Sequence, residues 1–292
     1  MEVCENLTSH KPSKVMIRIL SKDSIMQYIV PHLSRPVRGG SSVLTWEIVN
    51  AIFYKFKHGV QWHLLPIKSL IYKNSVKYGA IYHHFRKWVK DGRRGRAPWQ
   101  QAQQQIFGRY KRLLDLSVGL FDGSHSPAKR GGEQVAYQGR KKCKTNNTLW
   151  LTDANGLVVG FTLPIAGNHY DSSNIEKRLD YLVQQLTASG IRVDGLFINA
   201  DAGFDSEAFR QVCSQLGIEL NVPRNYQIAN QLDDDTFFDK LMYEQRYAIE
   251  QTNAWQDSYR TLSVRQDTSL GSWIAWHHLF FIHAWIKQVP KL

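Results

Sequence analysis

"INADAGFDS", Ile198 to Ser206, is the stretch on which the fold turns. Leu196, Phe197 and Ile198 form a short apolar run of strand character that ends at Asn199, Ala200 and Asp201. Gly203 then breaks the run, and Asp205 stands where a helix N-cap is expected before "SEAFRQ". A carboxylate at the end of a buried strand is costly unless something neutralises it. Metal ions do so at catalytic sites, and Mg²⁺ in particular prefers hard oxygen ligands. Asp201 therefore needs partners elsewhere in the chain.

Upstream, "LLDLSVGLFDGSHS" (Leu113–Ser126) reads as a strand ending at Asp122. "NNTLWLTDANGLVVGFTLPIAG" reads as two strands around a turn at Asn155–Gly156, a strong hairpin signal. A helix follows, closed by Gly190, with Asp171 and Ser172 as expected caps and Glu176 in its first turns. Then come the Asp201 strand, a helix, and a short strand at "IELNVP". The order β-β-β-α-β-α-β is that of an α/β mixed sheet flanked by helices. If the first and fourth strands run the same way, Asp122 and Asp201 lie side by side.

A third carboxylate comes from a helix expected over about 239–262. Tyr243, Arg246, Glu250 and Asp257 are separated by three, four and seven residues, so at about 100° per residue they share one stripe. Leu241, Ala248, Trp255, Tyr259 and Leu262 fall on the opposite stripe, which assigns Trp255 to the core. Three carboxylates suit a two-metal site, in which two ions about 4 Å apart hold the attacking and leaving oxygens of a phosphodiester.

Charge supports a nucleic-acid partner. Residues 1–100 carry 17 Lys and Arg against 5 Asp and Glu, whereas the remainder is balanced, so the whole net charge of +12 sits in the first third. Within that third, "WEIVNAIFYKFKHGV" and "SVKYGAIYHHFRKWVKDG" read as amphipathic helices around a short connection, a pattern resembling a helix-turn-helix unit. This gives a basic helical DNA-binding domain over 1–105 and a catalytic domain over 106–292, with an insertion near 223–240 and a C-terminal helix. A second basic run, Lys129, Arg130, Arg140, Lys141, Lys142 and Lys144, follows Asp122 and is read as a DNA-backbone contact. His125 is read as a loop residue. His277, His278 and His283 have poor metal spacing and are read as packing residues on the helix "WIAWHHLFFIHAWI", which is too short and too His-rich to span a bilayer. Three widely spaced cysteines form no disulfide framework, consistent with a reducing cytoplasm.

These motifs together resemble the DDE transposases of bacterial insertion sequences, in the insertion sequence 5-like branch with a Tyr-x2-Arg-x3-Glu-x6-Lys signature. Tyr243, Arg246 and Glu250 match the signature; "DGSHSPAKRGG" resembles the first-aspartate block and "ADAGFDS" the second; "GVQWHLLP" resembles part of the N-terminal domain. The resemblance implies a ribonuclease H-like fold, a metal-binding catalytic triad of Asp122, Asp201 and Glu250, and two Mg²⁺ ions for which Mn²⁺ can substitute. It further implies double-stranded DNA partners (element ends and target), a homodimer on DNA, and a cytoplasmic, nucleoid-associated protein. Tyr243, Arg246 and Arg260 join the basic run as expected DNA contacts. Two positions depart from the pattern: Asp257 occupies the signature's basic position, and Ala202 follows Asp201 where a basic residue is common. The alternatives are a same-fold nuclease and a transposase-derived protein that only binds DNA.

Overall fold

Alternation sends Val118, Leu120 and Asp122 to one face of the first strand, and Gly119 and Phe121 to the other. The computed structural model describes residues 16–34, 43–72, 76–91, 95, 97–224 and 237–288. The expected insertion near 223–240, around "NQLDDDT", lies largely outside these residues. Five helices come first: α1 (Lys22–Tyr28), α2 (Thr45–His58), α3 (Ile67–Leu70), α4 (Tyr78–Asp91) and α5 (Pro98–Tyr110). Gly59 ends α2 in the left-handed conformation, as its sequence position predicts. A Cβ there would also come within 2.6 Å of the Arg260 Cβ, so both backbone and space favour glycine.

The strands are β1 (Gly119–Pro127), β2 (Ala136–Gln138), β3 (Cys143–Thr152), β4 (Val158–Phe161) and β5 (Ile165–Ala166), then α6 (Ile175–Ala188), β6 (Phe197–Asn199), α7 (Glu207–Gln215) and β7 (Glu219–Asn221). The sheet runs β2-β3-β1-β6-β7, with β4 and β5 also pairing with β3. β3 is antiparallel to β1, while β6 and β7 are parallel to it and to each other. A long antiparallel neighbour on one side of the central strand and two parallel strands on the other make the ribonuclease H-like mixed sheet. β1 continues past Asp122 to Pro127, because β3 pairs with it along its whole length; His125 is a strand residue, not a loop residue.

The region expected as one helix over 239–262 is three: α8 (Lys240–Glu244), α9 (Tyr247–Asp257) and α10 (Arg260–Ser263). The break after α8 has a tertiary cause. Asn199 Nδ2 donates to the Met242 carbonyl, which in a continuous helix would serve the Arg246 N–H; that N–H turns instead to Tyr243 O. Leu241 is consequently exposed, whereas Ala248, Tyr259 and Leu262 are buried and Trp255 packs on Phe280.

α11 (Leu270–Gln288) is buried along most of its length and joins the two halves. Trp276 stacks on Phe56 of α2 and Phe85 of α4, while Trp285 meets Phe107 of α5 and donates Nε1–H to Val158 O of β4. The helical third and the sheet therefore share one core, and removing a tryptophan of this kind costs about 3–5 kcal/mol. His277, His278 and His283 bond Thr148, Gln103 and Tyr259, and burial pushes their imidazoles down to about 4, 3 and 3. They are neutral core residues. No described helix is long and apolar enough to cross a membrane.

Candidate active site

The parallel pairing of β1 and β6 sets Gly119 opposite Ile198 and Leu120 opposite Asn199. The same register carried two residues further places Asp122 beside Asp201. Burial pushes the Asp122 carboxyl up to about 6, and the negative charges of Asp201 and Asp171 add to it; the Gly123 N–H and Arg246 act in the opposite sense. Asp201 leads into a single 3₁₀ turn and accepts the Gly203 N–H at 2.8 Å. Asp205 does not cap α7; Ser206 does, because Asp205 is drawn into an ion pair with Arg210 at 2.6 Å.

α9 lies across this pair. Ala248 and Ile249 pack on Val118 and Leu120, and Thr252 donates to Gly156 O at 2.5 Å, so the β3–β4 turn fixes the helix from below. Two side chains of the α9 stripe reach Asp122. Arg246 Nη2 is 3.9 Å from Oδ1, with Nη1 donating to the Tyr243 hydroxyl, and Asn253 Nδ2 donates to Oδ2 at 2.9 Å. Glu250 lies between them on the same stripe but is exposed. Among the described residues, no three acidic, His or Cys side chains converge closely enough to hold a metal ion. The structure thus brings Asp122 and Asp201 together and leaves Glu250 outside the pair.

Asp257, also exposed, is raised by partial burial and held down by the charge of Lys141. Among the described residues it makes no ion pair with Arg260, three positions on. The helix breaks at Ser258, and Arg260 opens α10 against Gly59 instead. Lys129, Arg130, Arg140, Lys141, Lys142 and Lys144 are all exposed, on the loop after β1 and around the β2–β3 turn.

Three site residues escaped the sequence reading. Asn253 sits three residues after Glu250, and its place on the stripe was legible. Asp171 was read as a helix cap; α6 instead begins after Asn174 without a side-chain cap, and Asp171 accepts from Asn147 Nδ2 behind Asp122. Its carboxylate fits because residue 123 is glycine, whose Cβ would lie 2.7 Å from Asp171 Oδ1. Only the fold brings Asn147 and Asp171 to that spot. Chemically, two adjacent carboxylates, one raised by burial and further by its neighbours' negative charge, are hard oxygen donors whose repulsion a divalent cation relieves. The donor pair fits Mg²⁺ or Mn²⁺.

Comparison with known proteins gives a family. The family described as "Transposase DDE domain" matches residues 114–285, more than half of the chain. Among solved structures, a chain of the simian T-cell lymphotropic virus intasome in complex with PP2A regulatory subunit B56 gamma is similar at TM-score 0.35 and 16% identity, over 56% of this chain and 48% of that one. The chain thus spans about half the length of that viral relative. The Mos1 strand transfer complex aligns at TM-score 0.34 and 14% identity over 88% of this chain and 79% of the other. The piggyBac transposase synaptic complex with hairpin DNA aligns at TM-score 0.43 and 12% identity over 91% and 70%. No curated protein matches. The match over residues 114–285 spans β1, with Asp122, the Asp201 turn and all of α9, and on that ground the chain belongs to the DDE transposase family.

Proposed function

We propose that this protein is a transposase of the insertion sequence 5-like branch that binds the ends of its element, cleaves DNA strands hydrolytically and transfers the freed 3′-hydroxyl to target DNA. The observation that carries the reading is the placement of Asp122 on β1 beside Asp201, two residues past the end of the parallel strand β6, under α9, whose stripe carries Glu250. Asp122 and Asp201 would hold Mg²⁺, with Glu250 as the third ligand from α9. When bound, the metal supplies charge stabilisation at the scissile phosphate and a more acidic attacking water. Arg246 and Asn253 orient the Asp122 carboxylate from both of its oxygens. The exposed basic residues of the β1–β3 region hold the DNA backbone, and a second copy holds the second end.

The test is incubation of the full chain with end-bearing duplex and Mg²⁺ or Mn²⁺, beside Asp122→Asn, Asp201→Asn and Glu250→Gln. Nicked and joined products from the natural protein, with a loss of at least about 100-fold in each variant and retained DNA binding, are expected. Nicking without any joined product would favour a nuclease. Asp201→Asn cleaving within a few-fold of the natural protein would end the assignment.

A further inference from the structure

A cleft of about 870 Å³ opens between the helical third and the catalytic body, away from the carboxylate pair. Its walls include Trp62, Tyr78 and Tyr82 from the helical third, Arg130 from the loop after β1, and Lys55 and Asp267. Lys55 is only 4% exposed, yet makes no ion pair among the described residues. Its ammonium donates to the neutral Thr261 hydroxyl at 3.3 Å and lies 5.9 Å from the Trp62 ring and 5.5 Å from the Trp276 ring. Asp267 acts on it from beyond ion-pair distance, and the Asp267 carboxylate is itself held by Trp276 Nε1–H at 2.8 Å. A buried cation that forms no direct ion pair among the described residues, lining an open cleft, is a position suited to an anion.

The aromatic wall narrows the choice of anion. Trp62 and Tyr82 stand 5.1 Å apart between centroids at an interplanar angle of 49°, both half-buried, while Tyr78 is 45% exposed. Paired bases cannot stack on protein rings; an unpaired base can, and such contacts carry single-strand binding. The cleft is of the size that takes one small molecule or nucleotide and is far too small for a duplex. The loop around Arg130 is anchored on both sides. Arg265 N–H donates to Pro127 O, Glu133 N–H to Thr268 O, and Leu270 N–H to Glu133 Oε2. The loop that carries Arg130 leaves β1 at Pro127, five residues from Asp122 and so roughly 17 Å along the strand.

We infer that this cleft binds an unpaired nucleotide of a DNA strand, its phosphate at Lys55 and Arg130 and its base against Trp62 and Tyr82. The inference rests on the transposase reading and adds a site to it. A DNA end that is partly opened on the protein would leave its displaced nucleotide here while the scissile phosphate lies at Asp122.

The experiment uses the full chain without divalent metal, so it reads binding alone. Two labelled duplexes of one sequence are compared, one blunt and one with a three-nucleotide single-stranded extension containing 5-iododeoxyuridine. The extension should tighten binding about ten-fold, and irradiation should cross-link it to Trp62, Tyr78 or Tyr82. Lys55→Met and Tyr82→Ala should each remove most of that gain while leaving blunt-duplex affinity within about two-fold. Tyr82 is half-exposed, so its variant and the cross-link decide the matter even if Lys55→Met fails to fold. Equal affinity for both duplexes, or a cross-link mapping elsewhere, would overturn the site while leaving duplex binding and the transposase reading intact. Failure of the transposase reading shows separately, as unaltered cleavage in Asp122→Asn.

Discussion

Asn253 donates its side-chain N–H to Asp122 Oδ2 at 2.9 Å from a position one helical turn beyond Glu250. A carboxylate oxygen accepts more than one partner, so this bond leaves Asp122 free to ligate a cation while fixing the plane of its carboxyl group. Arg246 approaches the other oxygen, and the helix that carries all three residues is docked on β1 by Ala248 and Ile249. The orientation of the first aspartate is thus set by the same helix that carries Glu250, the third carboxylate of the proposed site.

Asn253→Leu keeps the branched shape and removes the donor. Outer-shell partners of this kind are worth about 10- to 100-fold in metal affinity. Calorimetric titration of the metal-free protein with Mn²⁺ should show a weakening of that order, with melting temperature little changed. Unaltered Mn²⁺ affinity would make the Asn253 bond purely structural.

The raised Asp122 carboxyl makes both binding and stability depend on pH. With a folded value of about 6 above the ordinary 3.8, the native state holds a proton that the unfolded chain has released between those two values. Stability from this group is therefore full below pH 3.8 and is lost as pH rises through about 6. In the metal-free protein, Asp122→Asn should gain relative stability between pH 4 and 7, by at most about 3 kcal/mol. Metal must displace the proton, so Mn²⁺ affinity should fall as pH drops below about 6. Denaturant titrations and calorimetry across that range check both, and a pH-independent difference between the two proteins would refute the first.

Asp257 stands near Lys141 rather than pairing with Arg260. Asp257→Lys replaces an exposed negative charge with a positive one beside the basic β2–β3 turn. DNA affinity should rise several-fold at about 0.1 M salt, and the slope of log K against log salt should steepen by up to about 0.9. Lys141→Ala should flatten that slope by a similar amount. Fluorescence anisotropy of the full chain over a salt series measures both, and an unaltered slope in Asp257→Lys would remove this face from the DNA path.

Gly123→Ala would place a Cβ 2.7 Å from Asp171 Oδ1 and 3.3 Å from Leu149 Cδ2. Overpacking of this kind costs about 1–3 kcal/mol. Adding Asp171→Ala clears the nearest atom, so the double variant should be more stable than Gly123→Ala alone. Additive losses in thermal melts would show that the two residues are not in contact.

Local pattern was enough to identify the strands around Asp122 and Asp201, the Asn155–Gly156 turn, the two amphipathic helices before Asp91, and the burial of the last helix. In each, the period of apolar residues or a turn residue acts over a few positions and needs no distant partner. The Arg246–Glu250 spacing was legible for the same reason. The parallel register that sets Asp122 beside Asp201 joins residues 79 apart, and no local preference encodes it. The break before α9 arises because Asn199, on β6, takes the Met242 carbonyl. Asp171 became a neighbour of Asp122 rather than a helix cap because Gly123 leaves room for it and Asn147 offers a donor. Backbone and polar side-chain groups must be satisfied wherever the fold buries them, and which partner satisfies them is decided only once distant segments meet.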